Sequence, residues 1–202
     1  MNRLTLAALA AAATVSAVAL TDAVTHGLTG RPSVFTDGGP DWAYYVATVS
    51  HGVLFALLAA VLVRDAARID VGRSAVRWTR RLLVVLLVML AVPFVVGIVV
   101  RIDDAPQLLG ALGTAAFVLA FPVSAVLGIL LLRRPEMRPG AALLAGVAVA
   151  FVLTFGLGAL GSDWAHPAYP EVLMYLGVAL LGRTAPVTQA VHRGRTSEPS
   201  VA

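Results

Sequence analysis

A histidine and a glutamate stand in this chain where charge is costly. His51 lies inside a long apolar run, thirteen residues before Arg64, and Glu171 lies twelve residues before Arg183. At about 1.5 Å of helix rise per residue, they fall roughly 20 Å and 18 Å from a boundary marked by those arginines. Ionisable side chains are rare in such runs. They turn towards a bundle interior or a water-filled cavity, and they mark function by default. Histidine titrates near neutral pH, so His51 would be the proton-sensitive group. Glu171 would be its counter-charge or a ligand-binding carboxylate. Asp22, Tyr45, Asp163, His166 and Tyr175 gather on the side away from those arginines. The expectation is a polar pocket between the first, second and sixth apolar runs, with His51 and Glu171 at its floor.

Each of these residues also has a plainer reading. His51 could bond a carbonyl or Ser50 at a helix interface. Glu171 follows Pro170 and suits the first turn of a short helix, where the dipole favours a negative charge. Asp22, Asp41 and Asp163 fit solvated helix ends, and the tyrosines and tryptophans fit interface anchors. Pro93 and Pro122 fall about 18 Å and 16 Å from the arginine boundary by the same rise. Each removes a backbone hydrogen bond and predicts a kink, with or without a crevice beside it.

Other chemistries find little support. The chain has no cysteine, which excludes disulfides, thiolate metal sites and cysteine nucleophiles. All fifteen basic residues are arginine, which excludes a Schiff-base or phosphate-loop lysine. Asp22 and His26 are four apart and form the nearest approach to a ligand pair, but no histidines stand at metal-binding spacing. Bis-histidine haem would need an awkward tilt between His51 and the shallower His26 or His166. No metal and no cofactor is therefore expected. Phosphate loops, nucleophile elbows and dinucleotide fingerprints are absent. Nucleic acid is not expected as a partner, because the chain has no domain to bind it.

The elements that must hold these residues are apolar helices. Charged residues make up 13% of the chain, about half the roughly 25% of a soluble domain, and mean hydropathy is +0.87. Six runs stand out: Leu4–Val24, Trp42–Val63, Leu82–Val100, Leu108–Leu132, Ala141–Leu160 and the shorter Val172–Gly182. A bilayer core of about 30 Å needs about 20 helical residues. Five runs meet that length, and the sixth does so if it begins near Trp164. Their continuous apolarity, without alternation, argues against a barrel. The fold class predicted is all-α, a polytopic transmembrane bundle of six spans over residues 1–183, with a disordered cytoplasmic tail over 184–202. The number falls to five if Arg3, Leu4–Val15 and Ala17-Val18-Ala19 act as a cleaved signal peptide. The apolar character continuing to Val24 favours a retained first span.

Arginine sets the predicted orientation. Thirteen arginines lie at Arg3, in segments 64–81 and 133–139 and in the tail, against Arg31 and Arg101 opposite. The positive-inside rule places both termini in the cytoplasm, in the cytoplasmic membrane of a bacterium. Arg73, Arg77 and Arg81 recur at a spacing of four. They read as an orientation signal or as a stripe contacting anionic lipid. Ala142, Gly146 and Ala150 share one helix face, which suits close packing within the bundle, a homo-oligomer or another membrane partner.

Three function classes follow. The leading one is binding or transport of a small molecule or proton through the outward-facing pocket. The second is an interfacial enzyme acting on a lipid-like substrate, with Glu171 or Asp22 as general acid and His51 as base. The third is an accessory protein that binds another membrane subunit.

Overall fold

A computed structural model describes residues 2–31, 40–97 and 107–183. The expected tail over 184–202, Arg101 at the end of the third run, and most of the loop between the first two runs lie outside the described residues. The architecture is all-α. Helices α1 (Arg3–Thr29), α2 (Asp41–Arg64), α3 (Ala66–Asp70), α4 (Ser74–Gly97), α5 (Gln107–Leu131), α6 (Arg138–Ala159) and α7 (Ala168–Leu181) follow one another. Four of them, α1, α2, α5 and α6, are long and apolar enough to cross a membrane. α4 has 24 residues but carries Arg77, Arg80 and Arg81 in its first turns, and α7 is apolar with 14 residues.

The long helices form a closed circuit in chain order. α1 packs on α2, α2 on α4, α4 on α5, α5 on α6, α6 on α7, and α7 returns to α1. α7 also reaches α2 and α5, so the shortest helix of the circuit is the one that fills its centre. Its sequence suits that place: Ala168, Gly177, Val178 and Ala179 are small enough to admit neighbours from several sides.

Lipid tails are as apolar as leucine, so helix association in a bilayer depends on close packing. The tightest approaches use glycine. A Cβ on Gly128 of α5 would lie 2.4 Å from the Ala145 nitrogen of α6, and one on Gly140 would lie 2.7 Å from the Gly177 carbonyl oxygen of α7. The face named from sequence is less closely engaged. Ala142 is exposed, and Gly146 and Ala150 are half-buried, with Leu173 beside Gly146.

Core packing is concentrated in one half. Leu54, Phe55, Leu58 and Leu62 of α2 meet Leu83 and Leu87 of α4, Leu127 and Leu131 of α5, Leu144 of α6 and Val178 of α7 in one cluster. The buried residues of α6 are Gly140, Ala141, Leu144 and Val147, all in its first ten positions. Beyond them Val149, Val152, Leu153 and Phe155 are exposed.

Arginine closes the well-packed end. Arg80 is 6% exposed. It donates from Nε and Nη2 to the two Asp70 carboxylate oxygens at 2.8 and 2.9 Å, and from Nη1 to the Leu62 carbonyl at 3.3 Å. These hydrogen bonds hold the Asp70 carboxyl below the usual carboxylate range. Arg134 donates to the Arg68 and Ile69 carbonyls at 3.1 and 2.7 Å. Arg68 donates to the Leu181 and Arg183 carbonyls, and Arg64 to Asn2 and to Thr5 Oγ1. Most of these acceptors are the last carbonyls of helices, which have no partner within their own helix and carry the negative end of its dipole.

Candidate functional site

At the opposite end α1, α2 and α7 diverge around a cavity of about 330 Å³. Its polar lining is Thr14, Asp22, Ser50, His51, His166 and Glu171. Each side chain is held by a local feature of the sequence. Thr21, Thr25 and Thr29 bond back to the carbonyls four residues earlier at 2.7–2.8 Å, and α1 continues to Thr29. This extension runs five residues beyond the end of the apolar run and carries His26, one turn after Asp22. His51 is on α2, and its Nδ1 lies 2.8 Å from the Ala47 carbonyl oxygen. A carbonyl only accepts, so Nδ1 bears the hydrogen and Nε2 of the neutral ring is an acceptor. Ser50 Oγ also donates to Ala47, at 3.0 Å.

Glu171 lies in the first turn of α7, its backbone N–H bonded to the Pro167 carbonyl. It is 9% exposed, and Tyr175 follows one turn further along the same helix. The dipole reading of Glu171 and the pocket reading thus describe the same place: the helix N-terminus opens onto the cavity.

His166 lies in the connection between α6 and α7. Its Nδ1 accepts from the Ala168 backbone N–H at 3.2 Å, and its Nε2 lies 3.2 Å from an Asp22 carboxylate oxygen. The first bond assigns the tautomer, so Nε2–H donates to Asp22 and ties α1 to α7. Burial pushes the His166 imidazole below the ordinary histidine range, with Asp22 opposing and the neighbouring His26 ring, 6.1 Å away, assisting.

A second cavity, of about 400 Å³, lies between α2, α4, α5 and α7. Its lining is largely aromatic and apolar: Phe55, Leu90, Pro93, Phe94 and Phe117, with Thr114 and Tyr175. His51 and Glu171 line this cavity as well as the first. The two ionisable residues therefore form a common wall, polar on one side and aromatic on the other. Phe94 stacks on the His51 ring at 5.4 Å and 16°. Gly52 permits this approach, because a Cβ there would lie 3.2 Å from that of Phe94.

The seven residues named from sequence thus separate. Asp22, His51, His166 and Glu171 share the first cavity, and Tyr175 lies in the second. Tyr45 is exposed on α2 in edge contact with Tyr44. Asp163 lies beside Gly30, where a Cβ would be 3.5 Å from its carboxylate. Pro93 lines the second cavity, and Pro122 lies within α5 away from both. Sequence reasoning named Ser50 only as a partner for His51 and missed Phe55, Phe94 and Phe117. The adjacency of Phe94 to Pro93, at the depth of His51, was the available signal. Among the described residues no group of three or more His, Asp or Glu side chains could hold a metal ion.

Four helices fit to cross a bilayer, joined with α4 and α7 in one circuit with polar groups held inside, define a multi-span, all-α membrane protein. The chain matches no family model, and comparison with curated proteins and with solved structures returns no match.

Proposed function

We propose that the protein binds, and moves across the membrane, a small molecule that enters through the cavity between α1, α2 and α7. The observation that carries this reading is the shared lining: His51 and Glu171 border both cavities. A site used for transport needs ionisable groups that meet a ligand from more than one side, and intramembrane carboxylates and histidines serve this role. In this reading the chain crosses six times. α4 and α7 span with α1, α2, α5 and α6, both termini are cytoplasmic, and the cavity faces outward. The arginine asymmetry supports the orientation. The packing of Ala8, Ala12 and Val15 inside the bundle, and the bonds from Arg64 to Asn2 and Thr5, support a first span retained as part of the fold. Arg73, Arg77 and Arg81 are exposed at the arginine end, and Arg81 lies over the exposed Trp78 ring at 5.2 Å. That pairing suits contact with an anionic inner leaflet.

Thiol labelling tests the reading directly, because the chain has no native cysteine. Ser50→Cys places a thiol in the cavity, and Ser74→Cys places one at the arginine end. A membrane-impermeant maleimide added to intact cells should label the first and spare the second until the cells are permeabilised. Labelling of Ser74→Cys alone would reverse the orientation, and an unlabelled Ser50→Cys would remove the outward pocket.

A further inference from the structure

We infer that the ligand is a hydrophobic amine: an ammonium group carried on an aryl or alkyl body. The inference rests on the site reading above and adds the chemical class. It starts from what the first cavity offers. Ser50 has spent its hydrogen on Ala47, as has Nδ1 of His51. His166 has spent its Nε2 hydrogen on Asp22. What remains towards the space is the His51 Nε2 lone pair, the Ser50 oxygen and the Glu171 carboxyl group. The Thr14 hydroxyl is the one side chain of the lining left with a hydrogen to give. Such a wall is rich in acceptors, with no arginine or lysine in its lining. A carboxylate or phosphate ligand would meet oxygen acceptors and find no cation to pair with. An ammonium brings three donors and the opposite charge.

A metal ion would also satisfy negative oxygen donors, but no set of three ligating side chains converges among the described residues. A small inorganic cation would also leave the second cavity unexplained. That space adjoins the first through His51 and Glu171 and presents Phe55, Phe94 and Phe117. Aromatic faces attract cations and pack flat apolar groups. With the ammonium at Glu171, an attached ring would reach the aromatic side of the same wall. The combined space of the two cavities is of the size that holds drug-like organic molecules.

The test uses the full chain in nanodiscs of zwitterionic lipid and four probes: 2-phenylethylamine, 2-phenylethanol, 3-phenylpropanoate and methylamine. Binding is read by calorimetry and by protection of Ser50→Cys from maleimide. We expect 2-phenylethylamine to bind and protect, with the alcohol and the carboxylate at least tenfold weaker. Glu171→Gln should weaken the amine at least tenfold. Phe94→Ala should weaken 2-phenylethylamine and leave methylamine unchanged. Should Glu171→Gln fail to yield a monodisperse protein, protection of Ser50→Cys by the amine series decides the question in a chain with all its acids. Equal or tighter binding of the carboxylate or the alcohol, with protection of Ser50→Cys, overturns the amine and leaves the site reading intact. Failure of every probe also overturns the amine, and outside labelling of Ser50→Cys then shows whether the site reading survives.

Discussion

The two ends of this bundle are built from the same helices but solve opposite problems. At the arginine end, Arg64, Arg68, Arg80 and Arg134 all reach main-chain carbonyls on other helices or turns, and the apolar core lies just behind them. At the histidine end the first nine residues of α5 include none that is buried, and those of α6 beyond Val147 are likewise uncovered. Cavities occupy the space between the helices there. Asp22–His166 is the clearest polar cross-link there among the described residues. One end is an anchor whose arginines bond to main-chain carbonyls. The other keeps acceptors exposed to an internal space.

The largest effect should come from breaking the anchor. Asp70→Asn removes the charge that Arg80 meets with two hydrogen bonds, and Arg80 is too buried to find water in its place. Removing one partner of a buried pair costs about 3 kcal/mol. We expect a loss of that order in mild detergent, followed by denaturant titration. Arg80→Met combined with Asp70→Asn should recover much of it, because neither partner is then left unpaired. A double variant as unstable as the single one would mean that Arg80 acts mainly through the Leu62 carbonyl.

How much of this was legible beforehand depends on where the partners lie. Apolar runs and arginine positions anticipate the long helices to within a few residues: Trp42–Val63 against α2, Leu108–Leu132 against α5, Ala141–Leu160 against α6. They miss α3, whose five residues carry no long periodic pattern. They end the first run at Val24, because threonine reads as polar although its hydroxyl can satisfy its own helix. The depth of His51 and Glu171 follows from counting along a helix, so their common level was accessible. Their place in the lining of both cavities was not. It depends on α7 sitting at the centre of the circuit, which is a matter of packing order. The anchoring function of the arginines was hidden for a related reason. Their acceptors are carbonyls, which every residue carries, so the sequence marks the donor and leaves the acceptor blank.

A smaller effect is expected where the histidine end is fastened. Gly27 of α1 lies against Trp164, and a Cβ there would lie 2.5–2.8 Å from the indole ring atoms. The ring is 40% exposed and free to swing outward. Gly27→Ala should therefore cost about 1 kcal/mol, at the low end for overpacking, and shift Trp164 emission towards that of a wetter indole. Adding Trp164→Ala should abolish the cost. A cost that persists without the indole would place the strain in α1 and remove Trp164 from the fastening.

The smallest effect distinguishes the two ends by pH. Burial lowers the His166 pKa from its ordinary value of 6.5, against the pull of Asp22 and with the help of His26. Above 6.5 the ring is neutral in folded and unfolded chains alike, and its contribution is fully present. As pH falls below 6.5 the unfolded chain binds the proton first, so stability declines until the folded ring also titrates. Protonation also forfeits the bond from the Ala168 N–H, because Nδ1 then has no lone pair to accept it. Thermal unfolding in detergent between pH 7.5 and 5.5 should show this decline, and His166→Gln should flatten its share of it. Asp22→Asn removes the opposing charge and should extend the decline to lower pH. Acidification that instead stabilises the parent would mean that the ion pair with Asp22 outweighs burial, and that this end, like the arginine end, is held by charge.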